Sequence, residues 1–327
     1  MIRAVSPIDG ETVTLLREKH LRYIRDPQND PNVKVDWLNL KATGTDLSFP
    51  EPLELRFAPA VDGEVILRDA RGGEHVLPAL AGRAEAINLF VGEAYTWCVR
   101  TAEGQSPPFH FQTDAMPPRM LFVEGISNVR DFGGFRTVSG QIVKQGMVLR
   151  TSEMDTHTAI TAVGIATLEQ DFGIRTDMDL RGIKQESVGP VLNTERVQWV
   201  NFPIAAYADI YTPEQMELYR ASFEYMAKKE AYPVMVHCWG GIDRTGTWLY
   251  LLGAILGVPE DDLGLDYEMS SFSRWGRRSR RSEQFCAFLE GLRPYGDNVH
   301  TAAEGFLHAC GVKPESLARI REILLEA

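Results

Sequence analysis

One short segment of this 327-residue chain carries the strongest structural signal: Val236-His-Cys-Trp-Gly-Gly-Ile-Asp-Arg-Thr-Gly-Thr247. It overlaps the end of Pro233-Val-Met-Val-His237, a short apolar run typical of a buried parallel strand. A helical pattern follows it and ends near Leu256. A strand that turns directly into a helix predicts an α/β layered domain with a mainly parallel sheet. Ligands bind at the carboxyl edge of such sheets, so this turn is the expected functional site.

The loop inside this segment has the residue types that an oxyanion site needs. Gly240 and Gly241 let the backbone curl so that successive N–H groups point inward, in front of the positive end of the following helix. Cys238 opens the loop, where a helix N-terminus and a guanidinium favour the thiolate. Arg244 closes it with a planar fork for two phosphoryl oxygens, and Thr245 places a hydroxyl near the sulfur. We therefore predict attack of the thiolate on phosphorus, a phosphocysteine intermediate and its hydrolysis by water.

The loop has the Cys-x5-Arg form of the protein tyrosine phosphatase superfamily. Its longer form, His237-Cys-x-x-Gly-x-Asp-Arg-Thr-Gly246, resembles the bacterial tyrosine and dual-specificity phosphatases that also act on phosphoinositides. Further motifs occur in the order of that family across residues 120–327: Asn128-Val-Arg-Asp-Phe-Gly-Gly134, Leu149-Arg-Thr-Ser152, Gly173-Ile-Arg175, Asp179-Leu-Arg181 and Asp266-Tyr-Glu-Met-Ser270. Relatives that favour phosphoinositides usually carry lysine where this chain has Ile242, and this difference counts against lipid specificity.

The expected site divides into loop residues and supporting residues. The residues expected to bind the phosphoryl group are Trp239, Gly240, Gly241, Ile242, Asp243, Arg244 and Thr245. The residues expected to support the loop are His237, Asn128, Arg130, Asp131, Asp179 and Arg181. Buried Asp and Arg side chains commonly brace loops through hydrogen bonds, so we interpret the second group as scaffold. Trp239 either packs against the protein or forms a pocket wall for an aromatic phosphoester.

Two aspartates compete for the role of the general acid that protonates the leaving oxygen. Asp243 lies inside the loop. The Asp-Arg-Thr ending of the loop resembles that of lipid phosphatases, which carry an aspartate at the same place. Asp209 lies 29 residues before the cysteine (238 − 209), where many tyrosine phosphatases keep a mobile acid loop. Its segment, Ala205-Ala-Tyr-Ala-Asp-Ile-Tyr211, contains no Trp-Pro-Asp, so we favour Asp243. The structural alternative for Asp243 is a helix N-terminal cap.

Composition narrows the class of partner. The net charge of −11 disfavours nucleic acid. Four cysteines and seven histidines lack the spacing of a metal site or a disulfide framework, so we expect no metal and no cofactor. No apolar run is long enough to span a membrane, and no signal peptide is visible. We expect a cytoplasmic protein, or a secreted one if a signal peptide has been removed.

One basic stretch stands out in this acidic chain. Arg274-Trp-Gly-Arg-Arg-Ser-Arg-Arg281, here called the arginine segment, has five arginines among eight residues. It is either a solvated face or an electropositive rim that recruits anionic substrates.

The N-terminal part has a different sequence pattern, with short alternating segments typical of strands. Leu53-Glu-Leu-Arg-Phe57 and Glu64-Val-Ile-Leu-Arg68 alternate apolar and polar residues, and Asp62-Gly63 between them predicts a hairpin turn. Short strands at such intervals predict a small all-β sandwich over residues 1–115. Tyr95-Thr-Trp97 followed by Phe109-His-Phe-Gln-Thr113 resembles the last strands of fibronectin type III-like modules. Prolines in Asp114-Ala-Met-Pro-Pro-Arg119 predict a linker, and residues 116–327 then form the expected phosphatase domain.

Together these patterns predict a metal-independent phosphomonoesterase with phosphotyrosine as the first substrate class. A phosphoinositide or inositol-phosphate phosphatase is the alternative among enzymes. A phosphate-binding adaptor, in which the sandwich does the recognition, is the alternative from another class.

Overall fold

The computed structural model describes residues 2–25, 45–182 and 189–326. They form two compact units, one from residues 1–21 and 50–122 and one from residues 22–49 and 123–327. The sequence predicted a single division near residue 115, whereas the described residues between 22 and 49 belong to the second unit. Local contacts explain this, since the Tyr23 hydroxyl donates to the Glu268 carboxylate over 2.9 Å. The Tyr23 ring also packs edge-on against Phe272.

The first unit contains two sheets. Its strands are β1 (Arg3–Ser6), β2 (Glu11–Val13), β3 (Leu53–Ala58), β4 (Gly63–Asp69), β5 (Glu74–Ala79), β6 (Arg83–Ala86), β7 (Ala94–Thr101), β8 (Gly104–Gln105), β9 (Phe109–Thr113) and β10 (Arg119–Met120). One sheet has the order β1-β3-β6, and the other has the order β2-β9-β7-β4-β5 with β8 on β7, while β10 is in neither of these sheets. The pairs are antiparallel except that β2 runs parallel to β9. Helix α1 (Glu18–Arg25) crosses the division between the units.

Both sheets contribute to one apolar core in this unit. Tyr95, Trp97 and Val99 alternate along β7 and are buried, as the period of two of a strand requires. They share the core with Leu55 and Phe57 of β3. Burial of side chains of this size stabilises the fold by about 1.5–3 kcal/mol each.

The hairpin predicted at Asp62-Gly63 is wrong, because β3 and β4 belong to different sheets. Gly63 instead allows a close backbone approach, since a Cβ there would lie 2.4 Å from the carbonyl oxygen of Arg100. The hairpin partner of β4 is β5. In the turn between them, the Asp69 carboxylate accepts from the N–H of Gly73 at 2.9 Å.

The second unit is a sheet with helices. Its strands are β11 (Arg130–Asp131), β12 (Val148–Thr151), β13 (Thr176–Asp179), β14 (Gln198–Asn201) and β15 (Val234–His237). Within the unit they follow the order β11-β12-β15-β13-β14. The strands β12, β15, β13 and β14 run parallel, and β11 is antiparallel to β12, which confirms the predicted mainly parallel sheet. All four residues of β15 are buried between neighbours on both sides.

The helices of this unit are α2 (Ala162–Ala166), α3 (Pro213–Met226), α4 (Asp243–Leu256), α5 (Glu260–Met269), α6 (Glu283–Leu292), α7 (Val299–Ala309) and α8 (Pro314–Leu324). Helix α4 is the central one, with every side chain from Thr245 to Leu256 buried. It ends where predicted, at Gly257 with a φ of +84°, a conformation that glycine adopts without strain. Within the described ranges, each helix is too short or too polar to cross a membrane.

Candidate active site

The predicted phosphate loop joins β15 to α4 at the carboxyl edge of the sheet. Cys238 follows the strand directly and is only 4% exposed. Gly241 has a φ of +64°, and a Cβ there would lie 2.0 Å from the carbonyl oxygen of Thr151. Only glycine therefore fits this position, which lies between the cysteine and the arginine of the motif.

Two buried arginines and one aspartate hold the loop from below. Arg150 donates to the carbonyl oxygen of Gly241 over 2.6 Å and also to the Asp266 carboxylate. Arg130 donates to the same carboxylate over 3.1 Å. Burial opposes ionisation of Asp266, but the charges of Arg150 and Arg130 outweigh it and keep its pKa below the usual range. Burial, followed by the nearby Arg150 charge, lowers the pKa of Arg130 to about 10.

Asn128 binds the loop directly. Its amide nitrogen donates to the carbonyl oxygens of Gly240, over 2.9 Å, and Gly241, over 3.1 Å. The backbone N–H of Asn128 donates to the Ser48 hydroxyl over 2.8 Å. Asn128 thus has the loop-bracing geometry expected of it, while the contact with Ser48 had no signal in the sequence. Asp131 acts more locally, because its carboxylate accepts from the N–H of its own turn and from that of Gly146.

Arg181 is fully buried among three carboxylates. It donates to Asp179 at 2.9 Å, to Glu153 at 3.0 Å and to Asp155 at 2.7 Å. Burial opposes its charge, but the hydrogen bonds and charges of Asp179 and Asp155 outweigh burial and raise its pKa. Glu153 connects this cluster to the loop, since its backbone N–H donates to the carbonyl oxygen of Trp239 over 2.8 Å.

His237 is a buried charged group behind the cysteine. One ring nitrogen lies 3.0 Å from the Asp177 carboxylate and the other 3.2 Å from the carbonyl oxygen of Cys238. Burial disfavours the imidazolium, but the charges of Asp177 and Asp179 outweigh it and raise the pKa of His237 to about 9. The ring is therefore protonated at neutral pH and donates to the loop.

The far end of the loop carries Arg244 and Thr245. Arg244 is half-buried in the first turn of α4, with one terminal nitrogen 3.4 Å from the carbonyl oxygen of Leu180. The Thr245 hydroxyl is fully buried, and among the residues that the structure describes it has no hydrogen-bond partner. That hydroxyl remains available to a sulfur or oxygen atom in the loop.

Asp243 is held in an ion pair with the arginine segment. Arg278 donates to its two carboxylate oxygens at 2.7 and 3.0 Å, and the Tyr207 hydroxyl donates as well. Burial opposes ionisation, but the hydrogen bonds and charge of Arg278 outweigh it and lower the pKa of Asp243. In this conformation Asp243 is a carboxylate without a proton to give.

The segment of the second candidate acid contributes a different residue to the site. Asp209 is exposed in the 3-10 turn Tyr207–Tyr211. Tyr207 reaches the loop instead, and its hydroxyl also lies 2.6 Å from that of Tyr267. Burial, together with the Tyr267 and Asp243 charges, raises the pKa of Tyr207, so it stays a neutral donor. Sequence reasoning missed this role, because no motif marks the tyrosine.

The remaining arginines of the arginine segment have different neighbours. Arg280 binds the buried Glu268 carboxylate over 2.9 Å. Arg274 places its guanidinium 5.4 Å from the centre of the Trp275 ring. Arg277 is exposed, and no carboxylate in the described part of the chain pairs with it. The segment is therefore not a uniform basic rim.

An aromatic group flanks the loop. The Trp239 side chain is 40% exposed, and its ring centre lies 5.0 Å from that of His157. His157 in turn lies 5.7 Å from Trp275. Trp239 therefore packs against a neighbour, and its role as a pocket wall for an aromatic phosphoester stays a prediction.

In the described ranges, no group of three or more His, Cys, Asp or Glu side chains could hold a metal ion. The four cysteines lie in these ranges and all are free thiols.

Comparisons with known proteins identify the family of this chain. Residues 121–326 match a family described as the tyrosine phosphatase family. A Cupriavidus necator protein that carries the name of a tyrosine-protein phosphatase is 28% identical over 196 residues, which are 53% of this chain and 69% of that protein. Among solved structures, the core catalytic domain of the PP-IP phosphatase SIW14 from S. cerevisiae has 14% identity and a TM-score of 0.32, covering 41% of this chain and 76% of that one. TpbA from P. aeruginosa has 15% identity and a TM-score of 0.33, covering 52% and 90%.

Proposed function

Because the chain belongs to the tyrosine phosphatase family and is a cysteine-dependent phosphatase, we propose that it hydrolyses phosphotyrosine in proteins. Phosphoserine and phosphothreonine are the dual-specificity extension of this proposal. The observation that carries it is the phosphate loop, with Cys238 at one end and Arg244 at the other of a glycine turn that admits no side chain at Gly241. Cytoplasm is the proposed location, where free thiols stay reduced.

The proposed reaction has two steps at phosphorus. The Cys238 thiolate forms the S–P bond while the P–O bond to tyrosine breaks, and the leaving oxygen takes a proton from a carboxylic acid. Water then attacks the phosphocysteine, the S–P bond breaks, and the water gives a proton to the same carboxylate. Arg244 and the loop N–H groups hold the three equatorial oxygens throughout. The unpartnered Thr245 hydroxyl supports a role in stabilising the departing thiolate.

For the proton donor we keep Asp243 as the proposal, with Asp209 as its competitor. Asp243 is beside Arg244 in the first turn of α4, whereas Asp209 is exposed and would have to fold over the substrate. Donation by Asp243 requires that Arg278 move away first, because the ion pair keeps the carboxyl ionised. Asp243→Asn and Asp209→Asn, compared on alkyl and aryl phosphates, separate the two. Replacement of the true acid should lower the rate on alkyl phosphates about 10²–10⁴-fold and should remove the basic limb of the pH–rate profile.

The thiolate mechanism has its own test. Cys238→Ser should abolish phosphate release from phosphotyrosine peptides while keeping peptide binding, because the loop N–H groups and Arg244 remain. Wild-type activity should survive EDTA and be blocked by vanadate, a mimic of the trigonal transition state. EDTA-sensitive release that persists in Cys238→Ser would refute the mechanism. Binding without any release by the wild type would instead indicate the adaptor function.

A second substrate class is a phosphoinositide or inositol phosphate. The exposed guanidinium of Arg277 could pair with one phosphoryl group of such a substrate but not balance several, and Ile242 in place of lysine also counts against it. A panel of phosphopeptides and inositol phosphates, assayed for phosphate release at equal concentration, decides between them.

For the N-terminal part we propose a fibronectin type III-like recognition module over residues 1–115, followed by a catalytic domain over residues 116–327. The two sheets and the shared core around Trp97 support a sandwich, although the parallel pairing of β2 with β9 departs from a purely antiparallel one. Trp97→Ala in the full chain, which opens that core without removing Tyr23 or Ser48 from the second unit, would test whether phosphate release needs a folded N-terminal module.

A further inference from the structure

A cavity of about 500 Å³ lies against Asp243 of the phosphate loop. Its volume is in the range of about 300–1,000 Å³ that small-ligand sites occupy. The polar groups that line it come mostly from the arginine segment and the start of α6: Arg277, Arg278, Ser279, Ser282 and Gln284. The proposed chemistry involves these side chains only through the ion pair of Arg278 with Asp243.

The cavity has one more positive than negative charge. Arg277 and Arg278 are its cations and Asp243 is its anion, and Arg278 is already bound to Asp243. Arg277 is exposed, and no carboxylate among the described residues pairs with it. Tyr207 and Tyr267 add neutral hydroxyls, since burial raises the pKa of Tyr267 to about 12 and that of Tyr207 further. One unpaired guanidinium therefore faces a wall of neutral hydrogen-bonding groups.

We propose that this cavity binds an acidic residue next to the phosphotyrosine of a peptide substrate, with Arg277 as the specificity-determining residue. This rests on the proposed function. Asp243 belongs both to the cavity and to the phosphate loop, so a group in the cavity sits beside a phosphoryl group in the loop. Of a peptide substrate, the residue adjacent to the phosphotyrosine would be the one within reach of this cavity.

The mixed lining favours a peptide over a polyol with several phosphoryl groups. Ser279, Ser282 and Gln284 both donate and accept hydrogen bonds, and Asp243 only accepts. A peptide supplies N–H donors for these acceptors and a single carboxylate for Arg277. A polyphosphorylated polyol supplies several negative charges, which one free cation does not balance and which Asp243 repels.

The test compares two phosphotyrosine peptides that differ only in the flanking residues, glutamate on both sides or glutamine on both sides. The measured quantity is the ratio of kcat/KM for the glutamate peptide to that for the glutamine peptide. We expect a ratio of about five in the wild type at low salt, as for a well-formed exposed ion pair, and a smaller ratio at high salt. Arg277→Gln should bring the ratio close to one, and Arg277→Glu should invert it.

Arg274→Gln is the matched control, because it removes the same charge from the same segment but Arg274 does not line the cavity. Its ratio should stay at the wild-type value. An equal fall of this ratio in Arg274→Gln and Arg277→Gln would overturn the proposal, because it would mean that the positive charge of the whole segment acts and not one residue. A wild-type ratio of one, or a dependence on Arg277 confined to inositol bisphosphates, would also overturn it. If the wild type released phosphate from neither peptide, the proposed function itself would fail.

Discussion

Replacement of Asp266 by asparagine should strongly destabilise the second unit, because this carboxylate is shared by two buried arginines. The side chain is 4% exposed and binds Arg130 and Arg150, both 0% exposed. Asp266→Asn keeps the shape but leaves two buried guanidiniums without their shared anion. Breaking a buried ion pair costs about 3–5 kcal/mol. In a domain of this size each kcal/mol shifts the Tm by about 2–4 °C, so we expect a fall of about 6–20 °C.

Asp261→Asn is the matched control for this prediction. Asp261 also pairs with an arginine, Arg280, over 3.4 Å, but its side chain is fully exposed. Its loss should change stability by at most about 0.5 kcal/mol. Differential scanning calorimetry and urea unfolding measure both variants. Equal Tm values for the two variants would refute the claim that Asp266 compensates buried charge.

Asp266 should also make the stability of the second unit depend on pH. Its pKa is depressed in the folded protein, so its contribution to stability is present above the unfolded value of about 3.9. That contribution disappears as the pH falls through the folded pKa, because the unfolded chain then binds the proton first. Asp266→Asn should therefore lose less stability than the wild type between neutral and acid pH.

Three other predictions concern the loop and its neighbours. Gly241→Ala should lower kcat/KM for p-nitrophenyl phosphate about 100-fold, since the added Cβ forces the loop to move by about 1 Å or more. A kcat/KM above a tenth of the wild-type value would contradict this. The raised pKa of His237, about 9, means that its stabilisation is complete below about pH 6.5 and is lost as the pH rises through 9. Asp177→Asn should move that loss to lower pH, and parallel unfolding profiles would count against the charge pairing. Tyr207→Phe removes a donor to Asp243, so the basic limb of the pH–rate profile should move to higher pH, and an unchanged limb would argue against Asp243 as the acid.

The phosphate loop could be predicted from sequence because its signals are local. A buried strand, two glycines and a capped helix lie within about two dozen residues, and each follows from backbone preferences over a few positions. The parallel sheet follows from the same alternation of strands and helices. The motifs around Asn128, Arg130 and Arg181 marked these residues as candidates, and the interpretation that they brace rather than react stays a prediction.

The partners of these residues could not be predicted. Arg130 and Asp266 are 136 residues apart, and Ser48 and Asn128 are 80 residues apart. Periodicity gives the face of an element but not the side chain that it meets across the fold. For the same reason the sequence placed Asp243 at the helix start and gave no sign of Arg278. Likewise, nothing in the sequence indicates that Tyr23 belongs with the second unit, where it donates to Glu268, 245 residues along the chain.

The scaffold explains why the loop can bind an anion before any substrate arrives. The carbonyl oxygens of four successive loop residues each accept from a fixed donor: Cys238 from His237, Trp239 from Glu153, Gly240 from Asn128, and Gly241 from Asn128 and Arg150. In a trans peptide unit the N–H points opposite to the C=O. Donors that hold the carbonyls outward therefore turn the next four N–H groups inward, toward the space beside the thiol. The supporting residues thus fix the orientation of the peptide units and, with it, that of the loop N–H groups. Donors that are already oriented need no reorganisation when charge develops on the phosphoryl oxygens.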